Sequence, residues 1–213
     1  MIYDIFRCIG MLLAWPLQLA FFKRKTYYED KKEQNRFIKG GALVVSNHFC
    51  VFDYFVNAYL FPFRKLYVVL SEFVFNKNKI FYLLTKFHGG IKADRECKSM
   101  SFMDESVEVL ENGGLVQIFP EARNTPDGNI HEFKISYVLI ALRANVPILP
   151  VVTDGNYGFL KRTHVIIGKK IYLTDYCSSL NPTKEQLIML NGIVEKKVHE
   201  LRSELDKKVK GIN

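Results

Sequence analysis

Three short apolar runs in this chain each end in a polar cluster. Ala42–Val45 leads into Asn47, His48 and Asp53, Gly89–Ile91 into Asp94 and Arg95, and Leu115–Phe119 into Glu121 and Arg123. Runs of this length bounded by turn residues read as buried strands. Strand ends in α/β proteins present side chains from rigid elements, and ligands are met there. Helical stretches follow: one from the His48/Asp53 turn to about Leu60, one over Phe73–Phe87, and one over Phe133–Ala144. The expected fold is α/β, a mixed β-sheet flanked by helices.

Further strands are expected at Leu66–Leu70, His164–Gly168 and Ile171–Leu173. Val146–Val152 is also a strand, and Pro147 and Pro150 suggest that it lies at an edge or carries a bulge. Thr26–Lys39 reads as a charged surface connection. Thr183 with Gln186 has the form of a capping box. The helix behind it repeats apolar residues at Leu187, Leu190, Val194, Val198, Leu201 and Leu205, near a 3.6 period.

At 213 residues and 48% hydrophobic composition, the chain can bury one domain's core and is not disordered. The cysteines (Cys8, Cys50, Cys97 and Cys177) are scattered without a CxxC pair, which argues against a disulfide framework or a zinc site. Cys50 sits among Phe49, Val51 and Phe52, surroundings that make a thiol inert. The net charge of +8 favours an anionic partner. The basic residues form several short clusters and no nucleic-acid motif, so nucleic acid is not expected.

Ile2–Phe22 is the most apolar segment, and Lys23-Arg24-Lys25 follows at once. As a helix it reads as a retained membrane anchor lying in one leaflet, with the basic cluster at the headgroups. A buried core helix is the alternative. The expected organisation is an anchor over 1–25 and one domain over 26–213, at the cytoplasmic face of a membrane.

His48 and Asp53 stand five positions apart, close enough to meet if the chain turns into a helix between them. A carboxylate on one imidazole nitrogen fixes the tautomer and leaves the other nitrogen to take a proton. A structural His–Asp hydrogen bond at a helix start has the same local pattern. Arg95 and Arg123 bring guanidinium groups suited to phosphate. A base beside phosphate binders describes an enzyme acting on a hydroxyl of a phosphorylated molecule. One histidine without a carboxylate cluster is a poor metal site, and no metal or cofactor is expected.

Four blocks in order carry a resemblance: Asn47-His48-Phe-Cys-Val-Phe-Asp53, Gly89-Gly90-Ile91-Lys92-Ala93-Asp94-Arg95, Phe119-Pro120-Glu121-Ala122-Arg123 and Val146-Pro147-Ile148-Leu149-Pro150-Val151. They cover about half the chain, and in this order they resemble the glycerolipid acyltransferases, whose best-known members are 1-acyl-glycerol-3-phosphate acyltransferases. The resemblance implies transfer of an acyl group from acyl-CoA or acyl-carrier protein, as co-substrate, to the free hydroxyl of a lysophospholipid. It implies catalytic roles for His48 as base and Asp53 as its orienting partner. Arg95, Glu121, Ala122 and Arg123 would form the acceptor site, while Asn47 would hold the turn or donate to the oxyanion. Ala122 stands where the family commonly has Gly, and Arg123 comes one position sooner. That leaves another lysolipid headgroup open. A non-catalytic protein that tethers membrane phospholipids, and a lipid hydrolase using His48 on water, are the readings from other classes.

Overall fold

The computed structural model describes residues 2–32, 34, 36–61, 63–76, 78–94, 100–125, 127–177, 179 and 181–211, with side chains for all of these except 2–8, 81 and 84. Arg95 and Cys97 lie outside this set, as does the Cys8 side chain.

The chain begins with helix α1 (Ile2–Phe21) and runs directly into strand β1 (Lys23–Tyr28). It continues through β2 (Ala42–Ser46), α2 (Phe52–Ala58), β3 (Leu66–Ser71), α3 (Glu72–Phe75), α4 (Lys79–Phe87) and β4 (Gly90–Ala93). There follow α5 (Ser101–Glu111), β5 (Leu115–Ile118), α6 (Ser136–Arg143), β6 (Ile148–Thr153), β7 (Arg162–Ile167) and α7 (Lys184–Lys210). The strands form one seven-stranded sheet in the order β1-β7-β6-β2-β5-β3-β4. The five strands from β6 to β4 run parallel, whereas β7 is antiparallel to β6 and β1 is parallel to β7. The sheet is mixed, as expected.

Both faces are covered, which is why β2 is apolar without alternation. On one face Leu43, Val45, Val116, Ile118 and Ile166 pack with residues of α5, α6 and α7. On the other, Val44, Leu115, Leu149 and Val151 pack under Val56, Leu60 and Phe61. The α7 positions Leu190, Val194, Val198, Leu201 and Leu205 are all buried, so this helix packs on the domain. Its capping box is present, with the Thr183 hydroxyl accepting from Gln186 N–H and the Gln186 side chain accepting from Thr183 N–H.

Several expectations change, among them the helix over Phe73–Phe87, which is two helices, α3 and α4. Thr26–Tyr28, expected as surface connection, continues Lys23–Lys25 into the edge strand β1. Its charges suit an edge, where Lys and Arg discourage pairing with another chain. β6 is not an edge strand despite Pro150, because it lies between β7 and β2. The Pro150 carbonyl accepts Gly168 N–H at 2.9 Å, just past the last β6–β7 pair, Val151↔Ile167. Proline therefore stands at the end of the β6–β7 ladder, where it forgoes only the reciprocal bond to Gly168. Ile171 makes only a single bridge, to Ile148.

Because β1 and β7 run against the other strands, the amino end of β1 lies at the carboxyl end of β2, β5 and β6. The last turn of α1 thus arrives beside the strand ends that carry the polar clusters.

α1 is not buried in the core. Leu12, Leu13, Trp15 and Leu17 are 53–75% exposed, while the polar Gln18 is 4% exposed against the domain. No helix among the described residues is long and apolar enough to cross a membrane.

Candidate active site

His48 follows β2 in the turn before α2, and most of its polar atoms are held. Its N–H donates to Glu121 Oε1 at 3.1 Å. Its carbonyl accepts from both Thr125 N–H and Thr125 Oγ1 at 2.8 Å. Nδ1 lies 2.9 Å from Asp53 Oδ2. An ionised carboxylate only accepts, so Nδ1 carries the proton and the lone pair is on Nε2. No described residue partners Nε2. The ring stacks on Phe119 at 4.0 Å between centroids. The His48 side chain keeps 18% exposure, whereas that of Asp53 has none.

Asp53 enters from the first turn of α2, so the short turn after β2 brings the pair together. Its Oδ2 also accepts Cys50 N–H at 2.8 Å, and its Oδ1 accepts the Tyr157 hydroxyl. Every oxygen of this fully buried carboxylate is thereby satisfied, as burial of a charge requires. Burial, followed by the negative charge of Asp53, pushes the Tyr157 hydroxyl far above its ordinary value of 10.0, so it stays a donor. Burial also raises the Cys50 thiol, consistent with an inert side chain.

Asn47 and Glu121 direct their polar atoms into the protein. Asn47 Nδ2 donates to the Thr153 carbonyl and its Oδ1 accepts Thr153 N–H, each at 3.0 Å, which clamps the end of β2 to the end of β6. Glu121 Oε2 accepts His131 N–H at 2.9 Å, so one carboxylate joins the His48 and His131 segments. Burial raises the Glu121 carboxyl above its ordinary 4.5, against the lowering effect of these amides. Ala122 is exposed with φ 53°, a left-handed conformation that explains why glycine is the commoner residue in this block. Arg123 is exposed after β5, the neighbour of β2. Arg95 lies outside the described residues. β4, which precedes it, lies three strands from β2, about 14 Å at ordinary strand spacing.

Sequence reasoning missed several supports. Tyr157 follows β6 by four residues and has no local signal linking it to Asp53. His164 has a carboxylate partner: its Nδ1 is 2.6 Å from Asp154 Oδ2. Arg202 of α7 donates to the Thr153 carbonyl at 2.9 Å and lies over the Phe49 ring at 5.5 Å. A cleft of about 470 Å³ lined by Phe37, Lys39, Leu149, Lys169 and Tyr172 opens elsewhere and shares no residue with this centre.

Comparison with known proteins agrees with the family resemblance and with the α/β fold. The "Acyltransferase" family model matches residues 23–154. A 1-acyl-sn-glycerol-3-phosphate acyltransferase of Limnanthes douglasii is 29% identical over 152 residues, which are 70% of this chain and 50% of that one. A protein of the same name from Bacillus subtilis is 27% identical over 152 residues, covering 69% and 73%. The chain spans half the length of the Limnanthes relative. The crystal structure of the 1-acyl-sn-glycerophosphate acyltransferase of Thermotoga maritima superposes with a TM-score of 0.60 at 19% identity, covering 84% of this chain and 73% of that one. That likeness is one of fold. The chain belongs to the acyltransferase family.

Proposed function

We propose that the protein transfers an acyl group from an acyl thioester, acyl-CoA or acyl-carrier protein, to the free hydroxyl of a lysophospholipid, with 1-acyl-glycerol-3-phosphate as the acceptor and phosphatidic acid as the product. The observation that carries this reading is the His48–Asp53 pair, with Nδ1 committed and Nε2 open at a strand end. Nε2 takes the proton of the acceptor hydroxyl as its oxygen attacks the thioester carbonyl. A new C–O bond forms, the C–S bond breaks, and the imidazolium returns its proton to the departing thiolate. Asp53 holds the ring and stabilises the imidazolium. The acceptor supplies the nucleophile, so no acyl-enzyme is needed.

Arg123 and Arg95 are assigned to the acceptor phosphate, Arg123 from its exposed place after β5 and Arg95 from the family block. Asn47, Glu121 and Ala122 shape the loops that frame the acceptor. Two tied segments, His48 to Glu121 and Asn47 to Thr153, keep these loops in place.

The outward apolar face of α1 supports seating on a membrane at its cytoplasmic face, with the helix in the plane of one leaflet. Its last turn meets the strand ends of the site. An acceptor and product that remain in lipid then avoid exposing acyl chains, at about 0.8 kcal/mol per CH₂.

The test offers labelled acyl-CoA and acyl-carrier protein to detergent-solubilised protein with a panel of lysophospholipids. Transfer to lysophosphatidic acid supports the full reading. Transfer to a different headgroup alone reassigns the Arg123 pocket. Lipid binding without transfer leaves a tethering protein.

A further inference from the structure

Tyr157 lies past the matched segment 23–154, yet its hydroxyl meets the catalytic pair. We propose that Tyr157 is a positioning residue of acyl transfer, holding Oδ1 of Asp53 so that Oδ2 stays on His48 Nδ1, and that the end of α1 sets where Tyr157 stands. The proposal rests on the reading of His48 as base.

The Tyr157 hydroxyl gives its one hydrogen to Asp53 Oδ1 and accepts from Thr153 Oγ1 at 3.4 Å. Asp53 is fully buried, and a carboxylate there with one oxygen unpartnered would turn toward another donor. The hydroxyl fills that oxygen, and because burial keeps it protonated, it gives a hydrogen bond without exchanging its proton in the reaction. The Tyr157 ring is wedged edge-on against Phe22 and Phe52, with centroids at 6.0 and 6.1 Å. The ring is therefore fixed independently of the hydroxyl.

The loop carrying Tyr157 is tied at both ends. At its start, Asp154 Oδ2 meets His164 Nδ1, while Oδ1 accepts the amides of Asn156 and His164 at 3.1 Å each. Gly155, at φ +70°, lies so close under the Phe49 ring that a Cβ there would come within 2.6 Å of it. Further along, Gly158 N–H donates to the Phe21 carbonyl at 3.2 Å and Leu160 N–H to the Ala20 carbonyl at 2.8 Å. Those carbonyls end α1 and have no donors within the helix. Phe159 packs on Phe21 at 5.6 Å. The helix assigned to the membrane is thus connected through the loop to the carboxylate that orients the base.

The test compares wild type with Tyr157→Phe, which keeps the ring in its aromatic cluster. Proton NMR in detergent reads the exchange of the His48 Nδ1–H with water, the signal being assigned by its loss in His48→Ala. The expected result is exchange faster by about tenfold or more, with kcat down by a similar factor and KM within about twofold. Phe159→Ala, which loosens the loop without touching Tyr157 or Asp53, should speed exchange by a smaller factor and add nothing to Tyr157→Phe. Wild-type exchange and wild-type kcat in Tyr157→Phe would overturn the positioning role. Additive effects of the two substitutions would overturn the link to α1. If wild type transfers to no acceptor, the reading of His48 as base fails, while the exchange rate still decides whether Tyr157 holds Asp53.

Discussion

Glu121 holds His48 by its main chain and not by its ring: Oε1 accepts the His48 N–H at 3.1 Å while Oε2 takes the His131 N–H at 2.9 Å. The carboxylate therefore fixes the backbone from which the base projects. Burial leaves its folded-state affinity for protons above that of the unfolded chain.

That affinity sets a pH dependence of stability. Since the native state binds more protons between the ordinary value of 4.5 and the raised one, the Glu121 contribution is fully present below 4.5 and is lost as pH rises through the raised value. The stability advantage of wild type over Glu121→Gln should shrink as pH rises from 4.5 through the raised value. Denaturant unfolding at several pH values measures it, and an advantage that grows with pH would contradict the assignment.

Ala122 holds φ 53° without glycine's freedom. An L-residue there costs about 1–2 kcal/mol, offset in part by the greater unfolded-state entropy of glycine. Ala122→Gly should raise stability by about 0.5–1 kcal/mol, or about 1–4 °C in Tm for a chain of this size. A thermal melt checks this, and a lower Tm would show that the strain is relieved elsewhere.

The outward face of α1 makes a prediction about lipid. Replacing Leu12, Leu13 and Trp15 together by Gln should lower partitioning onto vesicles containing acidic lipid by about 100-fold or more, from the lost apolar area. Co-sedimentation reads it. Unchanged partitioning would mean that another surface meets the membrane.

What was legible in the sequence is what local physics decides. The five-residue spacing of His48 and Asp53 became a contact because the turn after β2 runs into α2 at once. The Thr183–Gln186 capping box and the apolar period of α7 likewise depend only on neighbouring residues. The rest depends on partners far away in sequence. Asn47 meets Thr153 from 106 positions away, and Tyr157 meets Asp53 from 104. In sequence, such residues read equally well as turn formers or solvated side chains. β1 was hidden for another reason: as an edge strand it needs charge more than alternation. Pro150 misled because it stands at the end of the β6–β7 ladder, where a missing donor costs a single bond.

The most direct test of the account is acyl transfer to lysophosphatidic acid by wild type and by His48→Ala, with matched melting curves to show that both are folded. The account predicts transfer by wild type and a loss of about 10²–10⁴-fold in the variant. Full activity in a folded His48→Ala protein would contradict the assignment of His48 as the base.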